Sequence, residues 1–269
     1  MKLTFMGDFG DYPQEFKDMV KKKNFSRLFL IGDNFYPTLE TTFQLEEAKM
    51  TFEDIKPKNI HPLLGNHDWD GDTMSQMDFK SWDFPCPFYY VPVNKKTGVW
   101  MLDTQILDPR NSMFPLWRNI DSQTGDHKEM RKTHIEWLWK SLEKYKDVPN
   151  KIFCGHYPLV SAGSYPTNKT LTRVLLPMMK QYHVKVYISG HDHSSQHLEY
   201  KIKKHTVHQF IAGSCGQHEK YPQCGSKDAK SLFYDDDGAF LRLDDKDGMN
   251  FSFHRMNEGE DEIYSIKLN

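Results

Sequence analysis

Five short apolar runs along the chain each end in a glycine that is followed by a polar residue. They are Leu3–Met6 before Gly7-Asp8, Leu28–Ile31 before Gly32-Asp33, Leu63-Leu64 before Gly65-Asn66-His67-Asp68, Ile152–Cys154 before Gly155-His156, and Val186–Ser189 before Gly190-His191-Asp192-His193. Such a run bounded by glycine is typical of a strand that is buried on both faces and then turns sharply. Because ligands bind outside the carboxyl ends of strands in open α/β sheets, we expect the five loops to converge.

The stretches between these runs are polar and have helical spacing. Residues 13–23 and 128–146 are the clearest examples, and the second places Leu138 and Leu142 on one face together with Ile135 and Tyr145. We interpret them as crossover helices.

The last third of the chain has a different pattern. Residues 240–243 and 249–254 flank a turn that is rich in Asp and Gly, which predicts a β-hairpin. We expect this hairpin to belong to a second, more antiparallel sheet. The length of 269 residues suits one domain with one large core, so we predict a single domain over residues 1–269.

The charge balance gives no sign of a nucleic-acid or membrane partner. With 35 basic and 37 acidic residues the formal net charge is -2, so any affinity for phosphate must be local. No run reaches the roughly 20 apolar residues that a membrane span requires. The first residues already have a strand pattern, so we expect a cytoplasmic protein, or a secreted or lysosomal-like one if a leader was removed from it.

Four cysteines are too few for a disulfide scaffold in a chain of this size. Cys154 lies in an apolar run and is expected to be a buried thiol. Cys215 and Cys224 lie close in sequence and could pair in an oxidising compartment.

The polar residues after the five runs form a possible ligand set for metal ions. A single Gly-Asp is ordinary turn chemistry, but His191 and His193 follow a buried strand at alternate positions, where packing does not call for imidazoles. Imidazole and carboxylate groups bind zinc, iron and manganese, and a carboxylate can bridge two ions. The sequence therefore predicts a dinuclear site.

The order of these motifs resembles that of the calcineurin-like metallophosphoesterases. Within that superfamily, Gly32-Asp33-Asn34-Phe35-Tyr36 is similar to the purple acid phosphatase form, which has a tyrosine three residues after the bridging aspartate. The resemblance to the small, mammalian tartrate-resistant type extends over essentially the whole chain. It implies an α/β fold, a four-layer α-β-β-α sandwich in which two mixed sheets are flanked by helices.

The resemblance also implies which side chains hold which metal. The ferric ion would be bound by Asp8, Tyr36 and His193, and the divalent ion, which could be iron, zinc or manganese, by Asn66, His156 and His191. Asp33 would bridge the two ions. Phenolate and carboxylate oxygens favour the trivalent ion, whereas neutral amide and imidazole groups suit the divalent one.

The activity implied is that of an acid phosphatase that hydrolyses phosphomonoesters by attack of a metal-activated hydroxide. His67, Asp33 and Asn66 would be catalytic, and Asn66, His67 and Tyr165 would contact substrate. We expect Asp68 to orient the His67 ring. We expect Asp192 either to support the neighbouring ligands or to be a turn residue, and not to be a ligand itself. The substrate would be a small phosphomonoester or a phosphoprotein, with no nucleic acid, and the protein would be a monomer.

One loop departs from the mammalian-type pattern. Those proteins carry an acidic residue and a histidine near the substrate in the loop after Gly155-His156, where this chain has Ser164-Tyr165. The departure concerns the substrate range and the pH optimum. Two alternatives to the phosphomonoesterase also stay open: a phosphodiesterase or nucleotide phosphatase of the same superfamily, and a catalytically silent binding module on the same fold.

Overall fold

The computed structural model describes residues 1–22, 25–109, 117–217, 225–256 and 261–268. The strands are β1 (Lys2–Met6), β2 (Arg27–Ile31), β3 (Ile60–Leu63), β4 (Tyr89–Pro92), β5 (Thr97–Leu102), β6 (Asn150–Gly155), β7 (Val186–Ser189), β8 (Ser195–Ile202), β9 (His205–Ala212), β10 (Ala229–Asp235), β11 (Ala239–Asp244), β12 (Met249–Arg255) and β13 (Glu262–Leu268). The α-helices are α1 (Gln14–Lys22), α2 (Thr42–Thr51), α3 (Asn66–Asp70), α4 (Thr73–Asp78), α5 (Thr104–Leu107), α6 (Trp117–Thr124), α7 (His127–Lys144) and α8 (Lys169–Gln181).

The strands form two mixed sheets. The first has the order β13-β12-β11-β1-β2-β3, and the second has the order β10-β8-β9-β7-β6-β5-β4. In the first sheet β1, β2 and β3 are parallel, and β11 pairs antiparallel with the free side of β1. In the second sheet β5, β6, β7 and β9 run parallel to one another. β4 pairs antiparallel with β5, and β8 pairs antiparallel with β9.

The two sheets pack face to face, with helices on the outside. Phe210 of β9 stacks on Phe251 of β12 at 4.4 Å between ring centroids, across the space between the sheets. On the outer side of the second sheet, Trp100 and Phe153 pack in one cluster with Leu138 and Leu142 of α7. The predicted fold class, two mixed sheets flanked by helices, is confirmed.

Both predicted helices and the predicted hairpin are present. α1 and α7 cover almost the predicted ranges, and Leu138 and Leu142 of α7 are buried. β11 and β12 form the hairpin. The expectation that it belongs to a second sheet was wrong, because β11 pairs with β1 and so extends the first sheet.

The described cysteines carry free thiols. Cys154 is buried, as predicted, and Cys215 is also buried, with its Sγ 3.3 Å from the carbonyl oxygen of Ala239. Cys224, the suggested partner of Cys215, lies outside the described residues. Among the described residues, no helix combines the length and the apolar character needed to cross a membrane.

Candidate metal centre

The five motifs meet where the carboxyl ends of the two sheets face each other. Three of their strands, β1, β2 and β3, lie in the first sheet, and β6 and β7 lie in the second. Backbone contacts join the two sides: the N–H of Gly7 donates to the carbonyl of Ala212 at 2.9 Å. The backbone N–H of His191 donates to Oδ2 of Asp8, also at 2.9 Å. The centre therefore lies between two sheets, not at the edge of one.

Three of the candidate ligands have a left-handed backbone. The φ angles are 60° for Asp8, 53° for Asp33 and 68° for His191. Non-glycine residues rarely adopt this conformation, and it costs free energy that surrounding contacts must offset. Each strand thus turns abruptly at its end, and the turn directs the side chain into the space between the sheets.

The first group of donor atoms surrounds the hydroxyl of Tyr36. Its Oη lies 3.0 Å from Oδ2 of Asp33, 3.3 Å from Oδ1 of Asp8 and 3.4 Å from Nε2 of His193. The His193 Nε2 is itself 3.6 Å from Oδ1 of Asp8. Four donor atoms from three loops therefore enclose one small volume: Asp33 and Tyr36 both belong to the loop after β2, Asp8 follows β1 and His193 follows β7.

The second group surrounds the imidazole of His156. Its Nε2 lies 3.2 Å from Oδ1 of Asn66 and 3.4 Å from Oδ1 of Asp33. Its Nδ1 is fixed by the carbonyl oxygen of Ile31 at 2.9 Å, which points Nε2 into the centre. The His191 ring packs against the His156 ring at 5.1 Å between centroids.

These separations fit the binding of two cations. Two atoms that each lie about 2.1 Å from a shared cation are about 3 Å apart, and the separations within both groups are close to this value. Asp33 contributes Oδ2 to the first group and Oδ1 to the second, which is the arrangement of a bridging carboxylate. Asp8, Asp33 and His156 are all buried, so the donors already lie in a water-poor pocket.

Charge within this pocket alters the acidity of its members. Burial by itself would raise the pKa of Asp33, but the His156 charge and hydrogen bond hold that pKa below its usual value. Burial would lower the pKa of His156, whereas Asp33 and Asp8 raise it to about 9. Burial, followed by the charges of Asp33 and Asp8, raises the pKa of the Tyr36 phenol well above 10.

His67 is positioned by a backbone carbonyl. Its Nδ1 lies 2.7 Å from the carbonyl oxygen of Pro37, and its ring meets the Tyr36 ring edge-on at 4.7 Å. The expectation that Asp68 orients this ring was wrong. The Asp68 carboxylate instead accepts hydrogen bonds from the backbone N–H groups of Asn34 at 3.0 Å and Gly65 at 2.7 Å, and from the Gln76 amide at 2.9 Å.

Tyr165 lies at the entrance to the centre. It is 38% exposed, and its ring lies 4.3 Å from the His191 ring at an interplanar angle of 37°. Asp192 is buried, and its carboxylate bonds to Ser161, Ser194 and Gln196. It therefore holds the turn and the neighbouring loop, in agreement with the expectation that it supports the turn or the ligands beside it.

The sequence interpretation did not include three groups that shape this region. The Pro37 carbonyl, Ser161 and Gln196 hold His67 and Asp192 in place. A backbone carbonyl leaves no mark on the sequence. The polar side chains of Ser161 and Gln196, each next to an apolar or loop stretch, were the only available signal, and they are too common to be informative.

A profile of the family described as "Calcineurin-like phosphoesterase" matches residues 1–195. The chain belongs to this family. Among curated proteins of the family's purple and tartrate-resistant branches, rabbit (Oryctolagus cuniculus) tartrate-resistant acid phosphatase type 5 is 27% identical over 227 residues, 74% of this chain and 69% of that protein. Purple acid phosphatase 7 of Arabidopsis thaliana is 26% identical over 233 residues, 79% of this chain and 67% of that protein. The predicted resemblance is confirmed over about three quarters of the chain, and not over essentially the whole of it.

The fold also resembles a solved structure described as "GAP50 the anchor in the inner membrane complex of Plasmodium". The TM-score is 0.74 at 22% sequence identity, and the match covers 100% of this chain and 88% of that chain. At this identity the likeness concerns the fold alone. The same fold therefore occurs in a protein that is described as an anchor.

Proposed function

We propose that the chain is an acid phosphatase that hydrolyses phosphomonoesters at a centre of one ferric and one divalent ion. The observation that carries this proposal is the placement of Asp33, whose Oδ2 lies 3.0 Å from the Tyr36 hydroxyl and whose Oδ1 lies 3.4 Å from Nε2 of His156. One carboxylate facing two separate donor groups is what a bridged pair of cations requires.

The two groups of donor atoms differ in charge: the first has carboxylate and phenol oxygens, which suit a ferric ion, and the second has amide and imidazole groups, which suit a divalent one. Asp8, Tyr36 and His193 would hold the ferric ion, and Asn66, His156 and His191 would hold iron, zinc or manganese. Such a pair, when bound, makes water a nucleophile at acid or neutral pH and neutralises charge on the phosphate.

His67 is the proton donor in this proposal. A carbonyl oxygen can only accept, so the Nδ1 of His67 carries a hydrogen in its contact with Pro37. When the ring is protonated, Nε2 also carries one. As water oxygen bonds to phosphorus, the ester oxygen leaves with its electron pair and takes the Nε2 proton, and Asn66 and Tyr165 contact the substrate.

The decisive experiment is the visible spectrum and total metal content of protein purified without added metal, for the wild type and for Tyr36→Phe. We expect a phenolate-to-ferric charge-transfer band and two metals per chain, with the band lost in the variant. Tyr12→Phe is the matched control, because the Tyr12 hydroxyl is buried and has no hydrogen-bonding partner within the described residues. It should keep the colour.

Other outcomes would select other functions. A colourless protein with two zinc or manganese ions would contradict the ferric centre but keep a metallophosphoesterase. Rates on a phosphodiester above those on the matching phosphomonoester would favour the phosphodiesterase alternative.

A second candidate is a catalytically silent binding module. It is favoured by the likeness in fold to the Plasmodium protein described as an anchor. The retention of all seven candidate ligands speaks against it. A chain that takes up no metal on reconstitution, yet stays folded, would support it over the phosphatase.

A further inference from the structure

Asp192 is a buried carboxylate between two candidate ligands, and its oxygens point away from both donor groups. Its exposure is 2%. Oδ1 accepts from the Ser194 hydroxyl at 3.0 Å, and Oδ2 accepts from the Gln196 amide at 3.1 Å and from the Ser161 hydroxyl. Ser161 belongs to a different loop, so this carboxylate joins two segments that are 31 residues apart.

The joined segment, residues 161–168, is clamped at its beginning. The Ser161 hydroxyl also accepts from the backbone N–H of Gly163 at 2.8 Å. The Gln196 side-chain oxygen accepts from the backbone N–H of Ala162 at 2.9 Å. A Cβ at Gly163 would lie 2.5 Å from Oδ2 of Asp192, so the chain passes over this carboxylate with no room for a side chain. We call residues 161–168 the clamped loop.

Tyr165 lies two residues beyond that clamp. Its partly exposed ring packs at a tilt against the ring of His191, the residue next to Asp192. The clamped loop therefore contacts the same turn twice: Ser161 bonds to Asp192, and the Tyr165 ring lies over His191. Moving the clamp would move the ring over the entrance of the centre.

We propose that Asp192 is a positioning residue that sets where Tyr165 stands over the centre, and thereby selects for the group esterified to the phosphate. The proposal rests on the proposed phosphatase function for its substrate. The chemistry selected is a planar or aromatic group that can lie against the Tyr165 ring while the phosphate reaches the donor groups. Inorganic phosphate has no such group and is insensitive to this contact.

The kinetic test compares an aryl phosphomonoester with inorganic phosphate as a competitive inhibitor. For Asp192→Ala we expect a roughly tenfold increase in KM for the aryl ester with kcat within about twofold, because ground-state and transition-state contacts to the leaving group are lost equally. The inhibition constant of phosphate and the metal content should not change. Asp192→Asn should restore KM, since its amide oxygen still accepts from Ser161 and Gln196.

Matched variants test whether the effect passes through the clamped loop. Ser161→Ala removes the loop side of the contact and should reproduce Asp192→Ala. Ser194→Ala removes a partner of Asp192 that lies outside the loop and should leave KM for the aryl ester near the wild-type value. In a Tyr165→Ala background, Asp192→Ala should add no further increase in KM.

Hydrogen exchange provides a readout that needs no activity. We expect the amides of residues 161–168 to exchange faster in Asp192→Ala, with the amides of β6 unchanged. Unchanged exchange in the loop, loss of metal, or an equal rise in the phosphate inhibition constant and the ester KM would each overturn the proposal. A wild-type protein that is inactive on every phosphomonoester would overturn the proposed function and the substrate selection with it, and the exchange result would then decide the positioning of the loop alone.

Discussion

The candidate centre has a floor and a rim that are built in different ways. The floor consists of Asp8, Asp33 and His156, which are at most 1% exposed and stand at strand ends that are tied together across the two sheets. The rim consists of His67 and Tyr165, which reach solvent and are held by loop contacts. Under the proposed function, metal binding would therefore depend on the fold as a whole, whereas substrate choice would depend on loop contacts that can change while the sheets stay the same.

The largest effect should come from breaking the floor. Asp33→Asn removes the negative charge that faces both donor groups, so we expect metal content to fall and phosphomonoesterase activity to drop on the order of 10³-fold. Metal analysis and kcat/KM measure the two losses. Asp18→Asn, on the surface of α1, is the control, and a variant of Asp33 with two metals and full activity would contradict the bridging role.

A change at the rim should separate chemistry from metal binding. His67→Gln should lower kcat by about 10²-fold, because the leaving oxygen loses its proton donor. The metal content should remain that of the wild type. The loss should shrink for esters whose leaving group is already acidic, since these need no proton, and an equal loss for all leaving groups would argue against the assigned role.

A buried histidine away from the candidate centre, His134, should make the free energy of unfolding depend on pH. Burial, aided by the charge of Arg131, lowers the pKa of His134 to about 3. Above pH 6.5 this imidazole is neutral in both the folded and the unfolded chain, so it does not change the free energy of unfolding with pH. Below that, only the unfolded chain binds the proton, so the free energy of unfolding falls by about 1.4 kcal/mol per pH unit until the folded pKa is reached.

Replacing this histidine should therefore flatten the response to acid. His134→Phe keeps a ring against Phe88, on which His134 stacks at 4.1 Å. We expect the loss of unfolding free energy between pH 7.5 and pH 5 to be smaller by about 2 kcal/mol in urea titrations. Trp137→Phe alters the packing beside His134 without removing a titrating group and should keep the wild-type slope. An unchanged slope in His134→Phe would contradict the assignment.

The sequence predicted the floor better than the rim, and the reason is physical. Strands such as β2 and β6 are buried on both faces, so their apolar runs and the glycine after them are visible as a pattern. The polar residue that follows such a strand must then lie at the carboxyl end of the sheet. The sequence did not predict which strands share a sheet. The pairing of Lys2 with Asp244, for example, joins residues that are distant in the chain.

The rim depends on groups that have no pattern. The Pro37 carbonyl that holds His67 is present in every peptide unit, and the correct partner emerged only from the folded geometry. The bond between Asp192 and Ser161 likewise joins two loops whose approach is set by the packing of β6 against β7. The sequence therefore indicated which polar residues matter, but not which groups they form hydrogen bonds with.

The position of β1 in the first sheet has a consequence for the order of events during synthesis. β1 carries Asp8 into the centre, and one side of this strand is completed by β11, while the turn after it is held by Ala212. A nascent chain whose residues 239–244 are still inside the ribosome has a β1 that is paired with β2 alone, and its pocket is incomplete. Under the proposed function, ion binding would therefore follow the pairing of β11 with β1, and a metal-loaded centre would indicate that this distant strand is already in place.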